Sequence, residues 1–446
     1  MFFRLIQLAA ALVAVAALLP GAALAQGKFS LQDILLLAVK RNPTLEASAY
    51  SVEALKAQLT QARSGWYPQI SLATQGNRYG QQPTAEVSTS TFYNEYYNQF
   101  TVTQLITDFG QTSAGARRGE HNLAAGRAGM ASTLAGMVRD VSKAYYDILV
   151  KQALIGVNEK ALEIKEQYRR KAEAFVNAGL KAKIYATKAK VDVANAKLAL
   201  VQARYNLKNS FMTLENLLGG PPAKGDYQLK NPTAQPRPPA DLEQLKGQAD
   251  KVRPEIKQAR ERINSARALV GAYQAYYLPT LQASTIFGWL DYDFPMAEYW
   301  QLQLALAWKL FDGFKREGQI GEARANMLQY KAQLREAKLK VYQEVSQAYF
   351  DCIKYHESIE ASRESVNQAL ENMEAAQARF ETGASSAIEV SDAIELLINA
   401  RSSLAQAFGD YYSAMAQLDY SLGRLPEYLF PAADKAEAKA KEAAKK

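Results

Sequence analysis

The chain has 446 residues, of which 22% are charged and 48% hydrophobic, and a formal net charge of +8. Its single cysteine, Cys352, excludes an intrachain disulfide and a thiolate metal cluster, and its two histidines argue against a histidine-based metal or acid–base centre. Acids and bases are interspersed, and the lysines near the C-terminus supply part of the excess, so the charge predicts a solvated surface rather than nucleic-acid binding.

Residues 1–25 have the pattern of a secretory signal peptide. Arg4 precedes an apolar run over residues 5–19, and a small-x-small cleavage site at residues 23–25 precedes Gln26. A transmembrane anchor is the alternative, but the run is short for a span of about 20 residues and ends at Pro20-Gly21. No later apolar run could span a bilayer as a helix, so any membrane insertion must use strands.

The remaining chain reads as two copies of one unit, predicted at residues 26–218 and 241–425. A Pro-rich linker over residues 219–240 separates them, and a Lys/Ala-rich tail over residues 426–446 follows. Before the hairpins the copies match at an offset of 211: residues 42–45 with 253–256, and 67–70 with 278–281. After the hairpins they match at an offset of 204: residue 108 with 312, 145–147 with 349–351, 179 with 383, and 218–219 with 422–423.

Spacing within each copy predicts long helices. Asp108 to Gly179 and Asp312 to Gly383 both span 71 residues that favour helix, about 105 Å at 1.5 Å per residue. The shorter helical stretches on either side add up to nearly the same length, so one long helix is predicted to lie antiparallel to two stacked ones. Apolar residues recur at helical spacing in both copies: Met137, Val141, Ala144 and Ile148, and Val341, Val345, Ala348 and Cys352. Cys352 is therefore predicted to be a core residue.

Between the helices the apolar period changes from 3.6 to 2, which predicts hairpins at about 69–107 and 280–311. The clearest strand is predicted from Trp300 to Leu310. Trp289, Trp300 and Trp308 are predicted to form a membrane aromatic girdle, because barrel strands carry aromatic residues at both interfaces. A soluble hairpin with one buried face is the alternative.

Four strands cannot close a barrel, and open edges are not tolerated in lipid. Several chains must therefore contribute. Two chains would give 8 strands, whose interior is filled by side chains, whereas three would give 12 and leave room for a pore. Transport thus favours a trimer or a larger ring.

With these features the chain resembles the TolC-like outer membrane efflux protein family over residues 29–425. The resemblance rests on the doubled unit, on Tyr67-Pro68 and Leu278-Pro279 before the hairpins, and on residues 310–313 and 379–383. It implies a mainly α fold with a small β part, in which long antiparallel helices form a periplasmic α-barrel and four strands per chain join an oligomeric transmembrane β-barrel. It further implies a non-enzymatic homotrimer in outer-membrane lipid, a duct for efflux or type I secretion that works with a periplasmic adaptor and an inner-membrane transporter, and no cofactor.

The resemblance also implies site residues. Gly179 and Gly383 would mark the periplasmic tips, and Glu389 and Asp392 would form an acidic ring at the entrance constriction. The alternative for the two acids is a helix N-terminus whose dipole they complement. The family's salt-bridge latch is not predicted, because Ser385 replaces its basic residue and Lys181 follows Gly179 where an acid would be needed.

Three other functions fit the sequence less well. A periplasmic adaptor would have one helical hairpin flanked by β domains, and a structural coiled-coil protein would leave the strand at residues 300–310 unexplained. An enzyme would need a phosphate loop, a nucleophile elbow or metal-ligand spacing, and none of these patterns occurs in the sequence.

Overall fold

The computed structural model describes residues 28–81, 91–222, 227–232, 241–291 and 295–426. The predicted signal peptide and nearly all of the predicted tail lie outside the described residues. The helices are α1 Leu31–Arg41, α2 Pro43–Arg63, α3 Gln111–Asn177, α4 Lys183–Leu218, α5 Leu242–Val252, α6 Pro254–Ala275, α7 Lys315–Glu381 and α8 Ala387–Ser421. The strands are β1 Lys28–Phe29, β2 Gln69–Gln81, β3 Thr91–Thr107, β4 Gln228–Leu229, β5 Thr280–Asp291 and β6 Ala297–Ala307.

The same order of elements occurs twice: a short helix, a helix that starts with proline, a hairpin, a very long helix and a helix about half as long. Both long helices, α3 and α7, have 67 residues and are therefore about 100 Å long. Pro43 and Pro254 stand at the first position of α2 and α6, where a missing N–H costs nothing.

The helices pack side by side into a rod. Towards the glycine turns the neighbours run in the order α4, α3, α8, α7, and towards the strands in the order α2, α3, α6, α7. Helix α7 therefore forms one long edge of the rod, and α2 and α4 together form the other.

The predicted apolar stripes lie in the helical core. Val141 and Ile148 on α3 and Val345 and Cys352 on α7 have no exposed surface. The Cys352 sulfur lies 3.7 Å from the Met415 sulfur, and burial raises the pKa of the thiol to about 12. This agrees with a small core residue rather than a reactive thiol.

The residues before the two prolines, Asn42 and Arg253, link the stacked helices at their junction. Asn42 caps α2 by accepting the Leu45 N–H at 3.0 Å, and its Nδ2 donates to the Leu217 carbonyl at 2.7 Å. At the matching position Arg253 donates to the Tyr420 carbonyl at 2.7 Å and forms ion pairs with Glu255 at 2.9 Å and Glu344 at 2.7 Å. Each residue thus ties the start of one helix to the end of the last helix in its repeat.

The four long strands form one antiparallel sheet in the order β2, β3, β5, β6. Strand β6 runs from Ala297 to Ala307, so the strand predicted from Trp300 to Leu310 has the right length but lies three residues too far towards the C-terminus. The last pair joins Ala307 to Thr280, and Pro279 before it has no N–H with which to extend the ladder. Trp308 therefore lies beyond the sheet.

Candidate channel wall and entrance

The sheet has one apolar face and one polar face. A row across all four strands joins Leu72, Phe100, Phe287 and Trp300, and all four side chains are exposed. The neighbouring row joins Ile70, Val102, Thr285 and Leu302. An isolated chain thus leaves a broad apolar surface in contact with water, which soluble monomers rarely do.

The opposite face carries small polar side chains. One of its rows joins Gln69, Thr103, Ser284 and Gln303, and another joins Ser71, Thr101, Ile286 and Gln301. Side chains also hydrogen-bond across strands, as where the Tyr299 hydroxyl donates to Gln99 Oε1 at 3.0 Å. Gly288 lies between these two residues, and a Cβ there would come within 3.0 Å of the Tyr299 ring. The glycine therefore makes room for this bond.

Aromatic residues border the apolar face at both ends. From Leu281 to Trp289, β5 covers about 26 Å at 3.3 Å per residue, close to the height of a barrel's lipid-facing band. Trp289 and Trp300 mark the loop end, where the charged side chains of Arg78, Asp291 and Glu298 begin. Trp308 marks the helix end, and its indole N–H donates to the Tyr277 carbonyl at 3.0 Å.

Two phenylalanines at the helix end have left-handed backbones. Phe109 has φ 51° and Phe314 has φ 66°, and each adjoins a glycine that also has positive φ, Gly110 or Gly313. The order is Asp-Phe-Gly in the first copy and Asp-Gly-Phe in the second. Non-glycine residues rarely adopt this conformation, so in both turns the fold keeps an exposed phenylalanine beside the aromatic border at the cost of strain.

Gly179 and Gly383 form the turns at the far end of the rod. Their φ angles are 73° and 81°, and in both turns the next residue donates its N–H to a carbonyl of the preceding helix. These bonds run from Leu180 to Phe175 at 2.9 Å and from Ala384 to Arg379 at 2.8 Å. They are Schellman-type helix ends, which need a residue that tolerates positive φ.

The predicted acidic pair lies one helical turn apart on α8. Glu389 donates its backbone N–H to the Ser386 side chain at 3.2 Å, and its carboxylate pairs with Arg379 across the turn. Asp392 is exposed. Glu389 thus lies in the first turn of α8, where a negative charge complements the helix dipole, while Asp392 presents its charge to solvent.

Close contacts involve the residues around both turns. Ser385 is buried and donates to the Ala376 carbonyl at 3.3 Å. The Lys181 ammonium lies 5.4 Å from the Phe380 ring centroid, and Lys171 pairs with Glu381. In the last two contacts the first hairpin supplies the cation, Lys181 or Lys171, and the second hairpin supplies its partner.

Comparison with known proteins decides the family. The outer membrane efflux protein family matches residues 34–220 and 245–424, well over half of the chain. The chain belongs to this family. Outer membrane protein TolC of Escherichia coli is 24% identical over 406 residues, covering 86% of this chain and 80% of TolC. Outer membrane efflux protein BepC of Brucella suis is 23% identical, covering 93% of this chain and 90% of BepC.

Solved structures share the fold. The outer-membrane channel OprN has a TM-score of 0.81 at 17% identity, covering 90% of this chain and 91% of OprN. The Campylobacter jejuni CmeC outer membrane channel has a TM-score of 0.79 at 16% identity, covering 92% and 88%. This member of the outer membrane efflux family therefore has the helical barrel and β-barrel architecture of the TolC-like channels. It is an outer-membrane duct subunit with a large periplasmic part, not a periplasmic adaptor.

Two further findings concern the described residues. None of the helices in the described ranges combines the length and the apolar content needed to cross a bilayer. Where the chain is described, His, Cys, Asp and Glu side chains do not form a group of three that could hold a metal ion.

Two notable residues were not found from the sequence. Glu95 is a charged side chain on the polar face, and Arg253 is a buried cation at the helix junction. Strand alternation could have placed Glu95 opposite Phe100, since the two differ by an odd number of positions. Only the tertiary contacts reveal the role of Arg253.

Proposed function

We propose that the chain works as a homotrimer that forms one continuous duct from the periplasm to the cell exterior. The observation that carries this proposal is the four-stranded sheet, in which β2 and β6 are edges with an apolar face beside them. Unpaired strand edges are not tolerated in lipid, and the sheets of three chains together make 12 strands. A ring of 12 strands leaves a pore, whereas the 8 strands of two chains would enclose only side chains. The apolar face then contacts lipid and the polar face lines the pore.

The helical edges support the same ring. The free face of α4 carries apolar residues that are between 53 and 71% exposed and recur every seven positions: Ile184, Val191, Leu198, Tyr205 and Met212. A seven-residue apolar period is the pattern of a helix that packs against a partner helix. The edge helix of the next subunit is α7, and its exposed acids Glu364, Glu371 and Glu374 complement the lysines of α4, such as Lys183 and Lys208.

Paired cysteines at the two sheet edges test the ring. In a Cys352→Ala background, Ser71→Cys on β2 is combined in turn with Gln301→Cys, Gln303→Cys and Ala305→Cys on β6. Oxidation in outer membranes should give covalent trimers on denaturing gels for at least one pair, while each single-cysteine variant runs as a monomer. Ladders that stop at dimers, or a purified protein that light scattering shows to be monomeric in detergent, would contradict the trimer.

We further propose that the tips at Gly179 and Gly383 are where a periplasmic adaptor docks, and that Asp392 with Glu389 forms the entrance ring. Support comes from their place at the end of the rod far from the sheet and from the exposure of Asp392. Substrates would then pass from an inner-membrane transporter through the adaptor into the duct. Three chains would place six carboxylates at the entrance, which would favour cations.

A further inference from the structure

The polar face of the sheet carries one charged side chain within the described strand residues, Glu95 on β3. The other charged residues of the strands, Arg78, Asp291 and Glu298, lie on the apolar side by register. Glu95 pairs with Asn77, about 26 Å along β2 from Gln69, where the strand leaves the helices. It therefore sits near the loop end of the strands, at the outer mouth of the proposed pore.

Aromatic side chains surround this carboxylate. The Tyr79 hydroxyl donates to Glu95 Oε2 at 3.1 Å, and Asn77 Nδ2 donates to the same oxygen at 3.4 Å. The rings of Tyr79 and Tyr93 stack with centroids 5.0 Å apart and are 42% and 44% exposed. Tyr97, two residues beyond Glu95 on the same face, is held by a hydrogen bond to Gln75. Glu95 is thus flanked on its own strand by two tyrosines.

This combination of groups suits one class of ligand. Aromatic faces attract cations through the ring quadrupole and are the usual recognition surface for quaternary ammonium groups. The carboxylate adds a full negative charge. A hard metal ion would need several oxygen ligands, whereas a bulky organic cation needs one charge and apolar contact. Among the described strand residues, no second anion lies on the polar face beside the cluster.

We propose that Glu95, Tyr79 and Tyr93 form a subsite for lipophilic organic cations at the outer mouth of the channel, one copy per subunit. The subsite would hold such cations briefly as they leave the duct. The proposal rests on the proposed function in one respect, because the polar face must line the pore.

Blockade of single channels by tetrabutylammonium tests the subsite. Purified protein is reconstituted in planar bilayers, and the cation is added separately to the loop side and to the helix side. From the loop side, the wild type should show brief concentration-dependent interruptions of current, and Glu95→Gln should need about tenfold more cation for the same blockade, as expected for the loss of a charged contact. Tyr79→Leu should weaken blockade severalfold, whereas Tyr79→Phe, which keeps the ring, should stay close to the wild type.

Glu298→Gln, which removes a carboxylate from the opposite face of the sheet near the same end, is the matched control and should leave loop-side blockade unchanged. Open channels whose blockade is the same in wild type and Glu95→Gln would overturn the subsite and leave the channel itself intact. A wild-type protein that gives no conductance would overturn the proposed channel and the subsite with it. Resistance of each variant's oligomer to detergent shows that a change in blockade does not come from misfolding.

Discussion

The two copies of the repeat keep the same backbone but differ in their side chains. At the tips, Gly179 and Gly383 have nearly the same positive φ and the same hydrogen-bonded turn, yet Lys188 occupies the position that Asp392 has in the second copy. At the helix junction, Asn42 in the first copy is matched by Arg253 in the second. Backbone conformation in this fold is thus fixed by a few glycines and prolines, while charge is free to diverge.

The largest difference between the copies is expected at the helix junction. The Arg253 side chain is 2% exposed, and its guanidinium lies 4.5 Å from the centroid of the Tyr420 ring, against which Arg139 also packs at 4.4 Å. Arg253→Leu removes the cation and leaves Glu255 and Glu344 without it, which should cost about 3–5 kcal/mol of stability. Asn42→Ala removes only a cap and one hydrogen bond and should cost about 1–2 kcal/mol.

Thermal unfolding in detergent, followed by circular dichroism, measures both variants. Arg253→Lys is an informative third variant, because it keeps the charge but lacks the planar guanidinium that stacks on Tyr420 and reaches two acids at once. It should fall between the wild type and Arg253→Leu. Equal losses for Asn42→Ala and Arg253→Leu would show that the two junctions are energetically equivalent, contrary to this prediction.

A smaller effect is expected at the tips, and it should be the same in both copies. Gly179 and Gly383 have open space where a Cβ would be added, so an alanine meets no neighbour and suffers only from the positive φ. Gly179→Ala and Gly383→Ala should each cost about 1–2 kcal/mol locally. Gly156→Ala, inside α3 and equally unobstructed, is the matched control and should stabilise by up to about 1 kcal/mol.

Hydrogen exchange at the two turns measures this local loss directly. Protection should fall in the last turns of α3 and α7 and the first turns of α4 and α8, with the strands unchanged. If Gly383→Ala lowered protection while Gly179→Ala did not, the two tips would differ in backbone strain as well as in charge.

Local patterns of the sequence account for much of this fold. The 71-residue spacing between the matched Asp and Gly positions of each copy predicts the helices of 67 residues, because glycine turns and Pro-led helix starts are local signals. The end of β6 was missed because a strand ends where its partner does, and Pro279, the residue before β5, decides that. Arg253 was missed because its partner Tyr420 is 167 residues away along the chain. A contact between residues far apart in the chain leaves no periodic pattern in the sequence near the residue that it buries.

The smallest expected effect concerns ion preference at the proposed entrance, where Asp392 of the second copy is matched by Lys188 of the first. Asp392→Asn should lower the ratio of cation to anion permeability about two- to threefold, because an exposed charge in a narrow ring acts through local ion concentration. Glu389→Gln should shift the ratio less, since Arg379 already partly neutralises that carboxylate. Lys188→Gln should shift it in the opposite direction.

Reversal potentials in a salt gradient measure these ratios in planar bilayers. The differences should shrink as the salt approaches 1 M, where the screening length falls to about 3 Å, and they should be largest near 0.1 M. A ratio unaffected by Asp392→Asn at low salt would leave the acids of α8 with only their role at the helix start. Opposite shifts from Asp392→Asn and Lys188→Gln would instead show that both tips face one ring of alternating charge, in which the second copy supplies the anions and the first copy the cations.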